Sequence, residues 1–393
     1  MSLEIEYSTI GDFGEVVMGM SPKGDTYNEE EEGLPLLNGP TEFGSSHPIP
    51  SLFTTDSKRE SNIGDLIFCV RGSTTGRMNW ANQIYSLGRG VCAIRGKTDN
   101  DTKYIKYVLD VKLNSLLKFA GGGTFPNLKK DDIKDFKIPI LKEKDKLVSI
   151  ISAYDDLIEN NLKRIKLLEQ AAQNIYKEWF VNLRFPGHEN TPINEETGLP
   201  EGWGEKGLCE FASFVQYKVK IKKYEGEKEY LATANVDGIK ISEQGEYFSF
   251  DKKPSRAQIA PPLNSVWFAR MSNTEKVLCF TENTNNDLMI SSGFAGFKAE
   301  EKEFLPFLFC TINSDVFSKL KDSYATGSTQ VSINNKSINS IRFIEPKIQT
   351  IKEFGEKIYP SLEMINKLFV TNKKLKAARD IMLPRLMNRT IEV

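Results

Sequence analysis

At 393 residues the chain is past the size at which one hydrophobic core usually splits, and 39% hydrophobic content with 24 Phe and 13 Tyr supplies material for two domains. A formal net charge of −1 lacks the basic excess of a protein devoted wholly to a polyanion, and the five scattered cysteines (Cys69, Cys92, Cys209, Cys279, Cys310) contain no C-x-x-C pair, which argues against a disulfide framework or zinc cluster. No stretch approaches about eighteen consecutive apolar residues and the first residues, Met-Ser-Leu-Glu-Ile-Glu-Tyr, lack the pattern of a signal peptide, so a soluble, cytoplasmic protein is expected.

In chain order, an acidic run, Glu29 to Glu32, comes first, and such runs are commonly solvated faces. Short apolar runs follow, Leu66 to Val70 and Val91 to Ile94, bounded by Gly64-Asp65, Gly72-Ser73 and Gly88; they predict short strands joined by turns. Behind the first run stand Arg71, Ser73, Thr74, Thr75, Arg77 and Asn79, and behind Gly88 stands Arg89. The segment Gly72-Ser-Thr-Thr-Gly-Arg77 resembles a phosphate loop but is one residue short and lacks the Lys-Ser/Thr pair; Gly121-Gly-Gly-Thr124 lacks dinucleotide spacing.

From Leu147 a stripe runs through Ile151, Tyr154, Ile158, Asn161, Ile165, Leu168, Ala172, Ile175 and Trp179, alternating fours and threes as in a coiled-coil seam. Breakers crowd Phe185 to Gly202, which predicts a linker. A lysine cluster follows at Lys218, Lys220, Lys222 and Lys223, and the apolar run Ser265-Val-Trp-Phe-Ala-Arg270 takes the place of Asp65 to Arg71. Asn273, Thr274 and Lys276 follow it, then Gly327-Ser-Thr-Gln330. A second stripe closes the pattern: Ile351, Phe354, Ile358, Ser361, Ile365, Leu368, Asn372, Leu375, Arg379, Met382, Leu386. Pro360 is expected to kink or restart this helix, because it cannot donate to the helix ladder.

The chain thus says the same thing twice, about 205 residues apart: Gly-Gly-Thr-Phe-Pro-Asn-Leu around Gly123 and Gly-Ser-Thr-Gln-Val-Ser-Ile around Gly327, each followed by a charged helical stripe. The expected fold is α+β, with two strand-rich α/β domains separated by two long helices that form an antiparallel coiled coil. The expected boundaries are a first domain at 1–141, a central helical region at 142–184, a linker at 185–202, a second domain at 203–346 and a distal helical region at 347–390. With Asn161 facing Asn372, Leu147 falls opposite Leu386 and Trp179 opposite Phe354; a buried Asn pair costs stability but penalises other registers. A helix of about 33 residues at about 1.5 Å each is about 50 Å long. Two domains held that far apart on a duplex meet it a little over one turn apart, a molecular calliper.

Catalytic material is thin. The chain has only His47 and His188, no Pro-Pro-Tyr or Pro-Pro-Phe preceded by Asn or Asp, and no acidic partner ahead of Glu225 and Glu227-Lys228. The loops instead carry side chains suited to reading a duplex: Arg for guanine acceptors, Asn and Gln for adenine, Ser and Thr for phosphates. The candidate DNA-binding residues are Arg71, Ser73, Thr74, Thr75, Arg77, Asn79, Arg89, Lys218, Lys220, Arg270, Asn273, Lys276, Ser328 and Gln330. For Arg71 and Arg270 the alternative is a structural ion pair; for Thr124 to Asn127 and Gly327 to Gln330 it is a turn before a strand.

The chain resembles the specificity subunits of type I restriction-modification systems. The resemblance rests on Met20-Ser-Pro22 with Gly24 and Tyr27-Asn28, Leu37 to Phe43, Gly64 to Arg77, Gly88-Arg-Gly90, Leu168 to Phe180, Gly198 to Trp203 and Asp380 to Met387, in the family's order. It implies two target-recognition domains, each reading one half of a split double-stranded DNA target, and no catalytic activity in the subunit itself. It also implies two adenine-N6 methyltransferase (modification) subunits docked on the helices and restriction/translocase subunits completing the complex. S-adenosylmethionine, ATP and Mg then belong to those partners, with no cofactor bound by this chain. By the same resemblance Tyr176, Trp179 and Phe180, with Leu383, Pro384, Arg385 and Leu386, are expected to contact the methyltransferase, Tyr176 and Phe180 above all. Unlike loops in the two copies predict an asymmetric target. The competing readings are the recognition portion of a fused restriction enzyme or an exchangeable adaptor subunit.

Overall fold

The computed structural model describes residues 6–44, 46–121, 126–211, 213–217, 220–242, 245–282, 284, 287–327 and 331–391. Lys218, Ser328 and Gln330 lie outside them. The chain forms two compact units, Met1–Leu157 with Leu375–Val393, and Ile158–Lys374. Two long helices, Lys144–Tyr176 and Ile348–Met387, contribute to both.

In the first unit the expected apolar runs form strands because every side chain of Leu66–Cys69 is buried. They lie in an antiparallel sheet ordered Gly14–Met18, Val91–Gly96, Leu66–Cys69, Met78–Trp80. One face meets the helix Asp99–Leu117, whose Tyr104, Ile105 and Val108 share a core with Phe68, Cys92 and Ile94. That helix starts at Thr98, whose hydroxyl accepts from the Asp101 N–H while Asp101 accepts back from the Thr98 backbone, so two otherwise orphaned donors are satisfied. The other face belongs to a smaller core of Leu37, Ile67, Tyr85 and Leu87. Tyr7–Thr9 pairs antiparallel with Lys137–Pro139. The same core as Phe68 includes Leu147 and Ile151 from the first long helix and Leu383, Leu386 and Met387 from the second. Arg379, a charge on the apolar stripe, is accounted for by Asp155: its guanidinium donates to that carboxylate at 2.6 Å, and Tyr107 Oη donates to the other oxygen at 3.0 Å.

The second unit repeats the arrangement. Its antiparallel sheet runs Phe214–Gln216, Phe294–Ala299, Ser265–Ala269, Val277–Phe280, the same order by position in the repeat. Gly296 stands across from Trp267 because a side chain there has no room: a Cβ would lie 2.3 Å from the indole. Two short helices, Leu305–Ile312 and Asp315–Ser323, replace the single helix of the first unit. Gly204–Gly207 pairs with Arg342–Glu345, as Tyr7–Thr9 pairs with Lys137–Pro139.

Within this unit the expected helix register is present at two points. Asn161 Nδ2 donates to Asn372 Oδ1 at 2.8 Å with both residues buried, and Asn372 Nδ2 donates to the Ile158 carbonyl at 3.3 Å. Trp179 meets Phe354 edge-on, ring centroids 5.7 Å apart. Pro360 does not restart the element: helix runs unbroken from Ile348 to Met387 through it. The breaker-rich segment after the first helix is packed down, with Phe185 stacked on Trp203 at 4.9 Å and Ile193 bridged to Pro200.

Candidate nucleic-acid interface

In each unit the strand that follows the Asp65 or Ser265 turn ends in a loop tied to a hairpin further along the chain. In the first, Val70 donates to the Gly90 carbonyl, Gly72 to Pro126 and Leu128 back to Val70, while Gly121 and Asn127 exchange two backbone bonds. In the second, Arg270 donates to Gly293, Ser272 to Val331 and Ile333 back to Arg270, while Thr326 and Ser332 exchange two. The hydrogen bonds therefore align Val70 with Arg270 and Arg71 with Met271. This corrects the sequence alignment of Arg71 with Arg270, which is out by one residue. Cys69 N donates to Arg77 and Ala269 N to Lys276, so Arg77 corresponds to Lys276 across a second loop that is one residue shorter.

The shift changes what Arg270 can do. Its guanidinium donates to the carbonyls of Phe294 at 3.2 Å and Ile333 at 3.3 Å and to Asn335 Oδ1 at 2.6 Å. Burial lowers its pKa from the ordinary arginine value, because its surroundings disfavour the cation. It is a clamp that joins the sheet to the hairpin, and among the described residues it makes no ion pair. Lys276 is similarly engaged, donating to the Thr233 carbonyl at 2.9 Å. Thr75 and Asn79 are also holders: Thr75 Oγ1 donates to the carbonyls of Gly72 and Pro126, and Asn79 Nδ2 to that of Gly44, with both residues buried. Gly76 needs its lack of a side chain, since φ is +98° and a Cβ would lie 2.8 Å from Leu113.

Outward on the first loop are Arg71, Ser73 and Arg77, with Thr74 half-buried and Arg89 exposed nearby, its Nε on Ser21 Oγ. Among the described residues no ion pair or hydrogen bond engages the side chain of Arg71 or Arg77, while the Arg71 carbonyl accepts from Cys69 Sγ at 3.3 Å. On the second loop the exposed residues are Met271, Asn273 and Glu275, and Lys220 is exposed on a separate segment. Asn273 sits at φ +55°, a left-handed conformation that asparagine tolerates.

Sequence reasoning missed Lys321. It is 2% exposed, and its Nζ donates to the carbonyls of Met271 at 3.0 Å and Thr274 at 2.6 Å, so a buried ammonium shapes the loop that Thr75 shapes in the first copy. Desolvation lowers its pKa below the ordinary lysine value, Asp322 at 3.5 Å opposing that shift. The available signal was its place one helical turn after buried Phe317.

The residues expected to meet a methyltransferase divide differently. Phe180 belongs to the second unit's interior, packed against Trp203, Phe307 and Phe354, and Tyr176 packs against that core half-buried, its Oη accepting from Thr311 Oγ1 at 3.1 Å. Leu383 and Leu386 are likewise buried in the first unit's core. Phe180, Leu383 and Leu386 are therefore packing residues, contrary to the expectation that they face a partner, while Tyr176 is half-buried. Trp179 is half-buried and Arg385 exposed.

The repeated sheet order and paired loops have known counterparts. The sequence profile of the type I restriction modification DNA specificity domain matches residues 3–170. Over that stretch the chain is similar to type I restriction-modification specificity subunits. A protein described as the type I restriction enzyme MjaX specificity subunit of Methanocaldococcus jannaschii is 32% identical over 163 residues, which are 41% of this chain and 38% of that relative. The MjaIX specificity subunit of the same organism is 24% identical over 313 residues, 73% of this chain and 68% of the relative. Alignment thus spans under two fifths of the first relative's length and about two thirds of the second's. The solved S subunit of a type I system from M. genitalium matches with a TM-score of 0.57 at 17% identity, covering 97% of this chain and 96% of that one, a likeness of fold. The sequence profile of this specificity family stops short of the second strand-rich domain, where the repeated sheet order continues the fold. No described helix is long and apolar enough to cross a membrane.

Proposed function

We propose that this chain is the DNA-specificity subunit of a type I restriction-modification complex. Each strand-rich domain reads one half of an asymmetric, bipartite duplex target through its strand-end loop, and the long helices set the unread spacer and dock two methyltransferase subunits. The chain performs no chemistry of its own. S-adenosylmethionine, ATP and Mg act on the modification and restriction/translocase partners. The observation that carries this reading is one scaffold built twice with different residues on its outward loops, because reading two unlike sequences requires constant positioning and variable contacts. Near-neutral charge fits it, since partners that also enclose the duplex can supply phosphate contacts.

Long-read methylation sequencing tests it, comparing cells that express the chain and its methyltransferase with cells lacking only this chain. The expected result is an N6-methyladenine motif, dependent on the chain, in two unlike halves with a fixed gap. A palindromic motif contradicts the asymmetry, and no chain-dependent motif with both proteins present overturns the function.

A further inference from the structure

Backbone alignment puts Met271 where the first domain carries Arg71. Arg71 bridges to Asn127 as Met271 bridges to Ser332, each beside a hairpin closed by the same pair of backbone bonds. Both are exposed, Met271 by 45%. A methionine is a weak choice for a free surface, yet its backbone is fixed: the Met271 carbonyl accepts from buried Lys321 and from Thr274 Oγ1 at 2.6 Å. The segment it bridges carries further exposed apolar side chains. Val331, next to its bridge partner, is 41% exposed, and Tyr324, two residues before the hairpin begins, is 40% exposed. The first copy has Pro126 at the Val331 position and Phe119 at the Tyr324 position, 64% exposed, so the aromatic recurs while the strand-end residue changes from cationic to apolar.

Resting on the function proposed above, we infer that Met271 is a specificity-determining residue that reads the C5-methyl group of a thymine in the second half-site, in the position from which Arg71 reads guanine acceptors in the first. The chemistry follows from the major-groove code: a guanidinium pairs with guanine O6 and N7, whereas thymine presents a methyl group that favours an apolar side chain. Arg270 is held away from that role, because Phe294, Ile333 and Asn335 each anchor its guanidinium.

The test uses the chain assembled with its methyltransferase and duplexes carrying the methylated motif found for the wild-type. Each thymine of the second half is replaced singly by deoxyuridine, which lacks only the methyl group, and affinity is measured at fixed salt. One replacement is expected to weaken binding about fourfold, the worth of about one carbon group removed from water. Met271→Ala should abolish that difference, Met271→Leu should retain it, and replacements in the first half should give the same result with every variant. A second half-site without thymine, no methyl-dependent position, or a dependence that persists in Met271→Ala overturns the inference while the wild-type motif upholds the general function. If Met271→Ala lowers assembly with the methyltransferase and leaves DNA affinity unchanged, the exposed apolar cluster serves a protein partner and the inference fails. Absence of any motif with the wild-type chain instead sinks the function on which it rests.

Discussion

Replacing Asn161 with leucine leaves Asn372 Oδ1 a buried acceptor without its donor, and replacing Asn372 leaves Asn161 Nδ2 a buried donor without its acceptor and also removes the bond to the Ile158 carbonyl. Both side chains are nearly inaccessible, at 7% and 5% exposure, so water cannot take over either role without opening the helix pair. A stranded buried polar group costs about 1–3 kcal/mol, and each single variant should lose that much. Leucine at both positions removes the stranded group along with its partner and adds apolar surface to the seam. The double variant should therefore lie near the wild-type in stability, at least about 1 kcal/mol better than the sum of the two single losses. Urea unfolding of all four proteins, with unchanged slopes as the check on a common transition, measures this coupling. Losses that simply add within about 0.5 kcal/mol show that the amides do not act as a pair, and refute the reasoning. If the amides fix register, the double variant should also cross-link efficiently through cysteines placed one heptad out of step, which the wild-type background does not.

Phe180→Ala should destabilise the second unit by about 3–5 kcal/mol, because the ring fills a core shared with Trp203, Phe307 and Phe354; a protein that melts like the wild-type but no longer binds methyltransferase would restore the surface role. Lys321→Met leaves the carbonyls of Met271 and Thr274 without their shared donor and should cost about 1–3 kcal/mol in urea unfolding, despite relieving a desolvated charge; an unchanged midpoint means that the loop closes without it. Asp12 should titrate well below an ordinary carboxylate, at about 2, because it accepts from the Thr9 N–H and from the hydroxyls of Ser8 and Thr9. Its folded value lies below its unfolded one, so its contribution is present above the unfolded value of 3.8 and is lost as pH falls through about 2. Carbon-detected NMR titration of the carboxyl reads this directly, and a midpoint near 3.8 contradicts the geometry.

The helix pairing was legible because its signal is a period: an amide on each of two stripes leaves few registers, Asn161 and Trp179 meet what counting assigns them, and Leu147 shares a core with Leu386. The strands were legible for a similar reason, since buried runs such as Leu66–Cys69 are bounded by turn residues on both sides. Loop equivalence was not. Two arginines one residue out of step look alike in a string, and only the backbone bonds to Gly90 and Gly293 distinguish them. Nor can a helix terminus disclose whether an aromatic group faces a partner or an interior. Phe180 is enclosed by residues up to 174 positions away in the chain, and no local pattern carries that information. Buried Lys321 broke the rule that lysine is solvated, and its acceptors are backbone carbonyls that leave no trace in residue type.

The composition of the first unit has a consequence for how the protein is made. Its core is closed by Leu383, Leu386 and Met387, which leave the ribosome long after residues 1–157, whereas the second unit is a single uninterrupted segment. During synthesis, Leu147, Val148 and Ile151 therefore wait with part of their covering absent while the downstream unit can already fold. A chain stopped before residue 375 keeps a complete second unit and an open first one, so premature termination should yield a sticky, half-finished product rather than a smaller working one.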